Sequence, residues 1–200
     1  LNAIHADYLR YGKAPSDQKI EGMINRMFKL RYATKKIAER MKKKTIYVVK
    51  NYVRLHENGF KRILETEKRF EFAIDEALIS GQIDLLKKVD RRGRVTEVEV
   101  IDFKTDRNDT IYNADYDKQL KFYAIACLES LGLKPKGAYI HHLDEDTKTY
   151  VDISRPVLDE TKQNVCVCVA EILKKKFVAK PAKVLCADCD YKAVCPKRAY

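Results

Sequence analysis

Apolar residues in the first 58 positions recur at three- and four-residue intervals. In IEGMINRMFKL, Ile20, Met23, Ile24, Met27 and Phe28 share one side of a helix, and TIYVVKNYVRL continues that spacing. At Ile63 the period changes. ILETEKRFEFAI and ALISGQIDLLKKV are short and rich in β-formers, DRRG (90–93) is a turn signal, and VTEVEVIDFKT follows as a further strand. These three segments predict the antiparallel start of a sheet. Helical spacing returns in YDKQLKFYAIACLESLGL, where Leu120, Tyr123, Ala124, Cys127, Leu128 and Leu131 form a stripe that Gly132 ends. GAYIHHL and TYVDI read as strands around the turn DEDTK, and VLDETKQNVCVCVAEILKKKF as a last long helix. The expected fold class is α/β: a central mixed sheet that begins as a meander, flanked by helices.

Two hundred residues at 46% hydrophobic content suffice for one core, so a single domain over 1–200 is expected. Its parts are a helical stretch at 1–60, a core at 61–180 and a cysteine-rich tail at 181–200. The chain opens on Leu1 with a helical pattern already under way, which predicts a piece of a longer protein. No apolar run reaches membrane-spanning length and no signal-peptide pattern is present, so a cytoplasmic, membrane-free location is expected.

The charge narrows the class. Forty Lys plus Arg against 29 Asp plus Glu leave a formal +11, with short basic clusters at Lys42–Lys44, Arg91–Arg92 and Lys174–Lys176. Such an excess attracts polyanions, because neutralising phosphates releases their counterions.

Candidate chemistry lies in GQIDLLKKVDRRGRVTEVEVIDFKT. Residues two apart on a strand face one side, so Val98, Val100, Asp102 and Lys104 share a face while Ile101 and Phe103 share the other. Asp84 closes an apolar stretch on the neighbouring strand, and the hairpin can set its carboxylate beside that of Asp102. Two adjacent carboxylates repel unless a cation lies between them, and hard oxygen ligands suit Mg²⁺ or Mn²⁺. With a lysine alongside, the arrangement suits phosphodiester hydrolysis. Glu67 and Glu71 read as structural or supporting acids. His56, His141 and His142 have no partner pattern and read as core or solvated residues.

Asp84 followed by Asp102-Phe103-Lys104 resembles the core motif of the PD-(D/E)XK nuclease superfamily, and GQIDLL…VIDFKT resembles its RecB-type branch. QLKFY places Gln119 and Tyr123 as in that branch's Q-x3-Y motif, where the pair helps hold the DNA strand and the active site. AIHADYL places His5 where the family carries a metal-binding histidine. The resemblance runs from about His5 to Cys195. It implies a restriction-endonuclease-like fold and DNA as partner. It also implies metal ligands at His5, Asp84, Asp102 and the Phe103 carbonyl, with Lys104, Gln119 and Tyr123 completing the catalytic set.

Cys186, Cys189 and Cys195 form C-x2-C-x5-C, a spacing that suggests metal before disulfide in a reducing compartment. The trio resembles the C-terminal ligands of iron–sulfur nucleases such as the AddB-type subunits. That resemblance implies a [4Fe-4S] cluster whose fourth cysteine lies outside this sequence. Cys127, Cys166 and Cys168 read as small buried hydrophobes. The C-terminal segments are similar to nuclease domains of UvrD-like helicases, which implies a helicase motor in the same chain or complex and work in DNA repair or recombination. Alternatives are a stand-alone phage exonuclease, a catalytically silent module that docks DNA ends, and a zinc-ribbon interaction module.

Overall fold

The computed structural model describes residues 1–89, 96–105 and 110–199, and of 110–114 the backbone alone. The turn expected at 90–93 and the Arg91–Arg92 cluster lie outside the described residues. Two compact units are formed, Leu1–Lys162 and Gln163–Tyr200.

In the first unit, three helices precede the sheet: α1 (Asn2–Tyr11), α2 (Asp17–Met27) and α3 (Lys35–His56). Each boundary has a local cause. Gly12 stops α1 at φ +71°, a left-handed conformation in which a side chain would be strained. The hydroxyls of Ser16 and Thr34 accept the first-turn N–H groups of Lys19 and Ile37, each at 3.4 Å. A 3₁₀ turn, Glu57–Arg62, then feeds the sheet.

The sheet contains β1 (Ile63–Ile74), β2 (Ala77–Lys88), β3 (Glu97–Lys104), β4 (Lys134–His142) and β5 (Thr147–Tyr150), side by side in chain order. The first three run antiparallel, β3 and β4 are parallel, and β5 returns antiparallel. The sheet is thus mixed and helix-flanked, as the apolar pattern predicts. The parallel step needs a crossover, and α4 (Thr110–Glu129) supplies it.

Strand alternation divides the core. Ile63, Leu85 and Ile101 face α1–α3, where they are buried with Ile4, Ile20, Tyr52, Val53 and Phe60. Residues of opposite parity, among them Leu86, Val100 and Ile140, are fully buried on the other face, where α4 packs on β3 and β4. Burying each such aliphatic side chain contributes about 1.5–3 kcal/mol. One glycine is needed for this packing. A Cβ on Gly81 would lie 2.6 Å from the Phe70 ring, so only a bare backbone lets that ring cross the strand and reach Tyr123, at a centroid distance of 5.8 Å.

The last long helix, α5 (Arg155–Leu173), ends four residues before the boundary its apolar spacing suggests. Lys174–Lys176 place like charges side by side, and Lys175 turns left-handed at φ +54°. In the second unit a short helix, α6 (Lys183–Ala187), carries Cys186. Among the described residues no helix is long and apolar enough to cross a membrane.

Candidate active site

The register of the β2–β3 hairpin brings the two aspartates together. Leu85 pairs with Ile101, so the next residue along each strand, Asp84 and Asp102, stands opposite the other on the face turned to α4. There the ladder opens, and the Asp84 Oδ2 accepts the Phe103 backbone N–H at 2.9 Å. Asp84 is half-buried, whereas Asp102 is 2% exposed. A carboxylate so enclosed needs a cation, and Lys104 Nζ lies 2.8 Å from its Oδ2.

Lys104 is held from three sides. Besides Asp102, its ammonium donates to Gln119 Oε1 at 3.0 Å and lies 4.3 Å from the centroid of the Tyr116 ring. Because the lysine must donate, the Gln119 amide oxygen faces it and the amide nitrogen is left to donate to Tyr123 Oη at 2.6 Å. Gln119 and Tyr123 are one helical turn apart on α4, so both reach the same strand ends. Burial pushes the Tyr123 phenol up to about 12; the Gln119 bond lowers it, while Asp102, Asp84 and Glu67 raise it further. The phenol therefore stays protonated at neutral pH. Alongside lies an open cleft of about 410 Å³ lined by Phe70, Gly81, Asp115, Lys118, Gln119 and Tyr123.

His5 takes a different position. It is fully buried on the α1–α3 face against Tyr52, Phe60 and Phe103, and its Nε2 meets the Tyr52 hydroxyl at 3.0 Å. Burial pulls its pKa down to about 3, so the ring is neutral. With the proton on Nε2 the Nδ1 lone pair is free, and that buried atom has no protein partner. His5, Asp84 and Asp102 do not lie within 4.8 Å of one another as a set. Alternation explains this: Phe103, which His5 touches, points away from the face that carries Asp102 and Lys104.

Sequence reasoning missed several contributors. Tyr52 and Tyr116 gave no signal beyond helical apolar spacing. Glu67, read from the sequence as a structural or supporting acid, is flanked by the Thr66–Leu85 and Lys68–Ile83 pairs and hence opposite Asp84, and it adopts φ +52°, a strained conformation for a strand residue. Among the described residues, one group of potential ligands does converge within 4.8 Å: His56, His141 and Asp146. Their separation along the chain hides them. Cys186, Cys189 and Cys195 are free and half-buried, and their sulfurs do not form such a group. A single zinc ion would require that convergence.

The model of the PD-(D/E)XK nuclease superfamily matches residues 4–196. No curated protein matches the chain significantly. Among solved structures, SSO0001 is similar at 15% identity over 78% of this chain and 70% of its own, with a TM-score of 0.46. A protein of Eubacterium rectale, provisionally described as an exonuclease, is similar at 12% identity over 94% of this chain and 79% of its own, with a TM-score of 0.44. Both scores lie below 0.5, so family membership rests on the first match.

Proposed function

The chain belongs to the PD-(D/E)XK nuclease superfamily, and from that premise we propose that it is a metal-dependent deoxyribonuclease centred on Asp84, Asp102 and Lys104. The observation that carries this reading is the opposition of Asp84 and Asp102 beside a lysine fixed by Gln119. Two carboxylates are a hard donor set that fits Mg²⁺ or Mn²⁺. The Phe103 carbonyl and His5 Nδ1 complete the proposed ligands, and joining them requires His5 to shift toward β3. Such an ion polarises a phosphate oxygen and acidifies water.

The remaining work falls to the side chains. Lys104, constrained by Asp102, Gln119 and Tyr116, presents an ammonium proton to the attacked phosphate and offsets charge as it develops. Gln119 passes the rigidity of α4 to that ammonium, and the neutral Tyr123 phenol anchors Gln119. The cleft beside them offers aromatic surface and Lys118 to a nucleic-acid strand. The +11 charge supplies affinity that does not depend on sequence.

The finer reading is an exonuclease of the RecB type that processes DNA ends or single strands in repair or recombination, in a cytoplasmic protein or complex with a helicase motor. Cys186, Cys189 and Cys195 would then serve a structural [4Fe-4S] cluster, a role supported by their spacing alone. Linear and covalently closed DNA incubated with Mg²⁺, Mn²⁺ or chelator tests this reading. Metal-dependent loss of the linear form alone is expected. Cleavage of closed circles would exclude the exonuclease mode, and no cleavage of either would exclude the activity.

A further inference from the structure

Across the sheet from Lys104, two imidazoles converge on one carboxylate oxygen. His56 ends α3, His141 lies on β4, and Asp146 sits in the turn before β5. Asp146 Oδ1 is 2.6 Å from His56 Nε2 and 2.8 Å from His141 Nε2. The two rings meet edge to face, 5.0 Å between centroids. We propose that His56, His141 and Asp146 form a binding site for a borderline transition-metal ion of the Zn²⁺ class, separate from the nuclease centre.

Donor chemistry sets the class: two imidazole nitrogens and one carboxylate suit zinc, cobalt or nickel and disfavour the all-oxygen shell of Mg²⁺. The geometry is close to that of a filled site. Ligands about 2.0–2.1 Å from a tetrahedral centre stand about 3.3 Å apart, about 0.5–0.7 Å beyond the present contacts of 2.8 and 2.6 Å. The three residues also come from separate elements, and Asp146 adopts φ +51°, a left-handed conformation common for Asp, in the turn that carries it.

Burial pulls His141 down to about 4 against the opposing pull of its Asp146 bond, so its ring is neutral at pH 7. Burial alone would raise the Asp146 carboxyl, but the bonds from His56 and His141 outweigh it and hold the group ionised. A metal held at Nε2 requires the neutral His141 ring to carry its proton on Nδ1, a change of tautomer without net proton release. Asp146 and His56 side chains are 29% and 21% exposed, which leaves a solvent-side position for a water ligand. An ion here clamps the end of α3 to β4. Tyr52, 4.9 Å from the His56 ring and hydrogen-bonded to His5, links the clamp to α1 on the same face of the sheet.

Cobalt titration of the full chain tests the proposal. Wild type should develop visible d–d bands at one equivalent without a thiolate charge-transfer band, which separates this site from the cysteines. With excess Mg²⁺ present to occupy the nuclease centre, His56→Gln and Asp146→Asn, both at partly exposed positions, should each weaken cobalt binding at least tenfold. Zinc should raise the melting temperature of wild type and not of the two variants, with circular dichroism confirming that both are folded. Equal cobalt affinity in wild type and both variants, or bands of thiolate character alone, would overturn it.

Discussion

The Lys104 ammonium donates to the Gln119 amide oxygen at 3.0 Å, and with the Tyr116 ring beside it this contact joins β3 to α4 at the candidate catalytic centre. The same amide donates to Tyr123 at 2.6 Å, so the lysine is positioned by a helix residue that itself cannot swing. Gln119→Ala should lower the single-turnover cleavage rate about 10²-fold, the scale of a misplaced catalytic group. DNA affinity should change less than about threefold, because many other cations bind phosphate. A variant that loses affinity but retains rate would assign Gln119 to substrate binding instead.

The buried histidines make the fold acid-sensitive. The His5 pKa falls to about 3 and that of His141 to about 4, against an ordinary 6.5. The unfolded chain therefore takes up protons below pH 6.5 that the folded chain refuses. Stability is complete above pH 6.5 and declines on acidification toward pH 4, by about 1.4 kcal/mol per pH unit for each proton. Urea midpoints between pH 7.5 and 4.5 should fall accordingly. A midpoint independent of pH over that range would mean that these rings are solvated.

Tyr52→Phe removes the hydroxyl that meets His5 Nε2 and leaves a fully buried imidazole with neither nitrogen satisfied. The expected loss of stability is about 1–3 kcal/mol. Chemical denaturation of the two proteins checks it, and equal stability would show that water satisfies His5.

Lys87 is 4% exposed on β2, and its pKa is lowered to about 8, chiefly by burial, with Lys148 and Arg62 adding repulsion that Glu99 partly relieves. The unfolded amine binds its proton more tightly, so this residue costs stability as pH falls from 10.5 toward 8 and below. Lys87→Met should stabilise the protein at pH 7 by about 1–3 kcal/mol. A destabilised variant would reveal an ion pair or hydrogen bond that Lys87 depends on.

How much of this was legible in the sequence follows from the range of each interaction. Asp84, Asp102 and Lys104 share a face because a hairpin and a period of two dictate it. Gln119 and Tyr123 share one because four residues make a helical turn. The mixed sheet follows from a strand–helix–strand pattern around α4. His5 was nameable only by resemblance, because its distance from the carboxylates depends on how α1 packs against β3. Gly81 reveals its role only when the Phe70 ring is placed across it. His56 and Asp146 meet through the docking of α3 on the β4–β5 turn, which no local pattern encodes. The cysteine spacing was plain, yet a short helix carries Cys186 while Cys189 and Cys195 follow in loops, and their sulfurs do not converge as one zinc ion requires.

The most direct measurement compares initial rates of linear DNA cleavage in Mg²⁺ or Mn²⁺ for wild type, Asp102→Asn and Lys104→Ala, with DNA binding and melting temperature recorded for each. Asp102→Asn leaves Lys104 without its carboxylate and the metal with one charged ligand fewer, and Lys104→Ala removes the ammonium at the transition state. Wild type should cleave only with metal, both variants should be slowed about 10³-fold or more, and all three should bind DNA alike. Wild-type rates in either folded variant would contradict the assignment of phosphodiester hydrolysis to Asp84, Asp102 and Lys104.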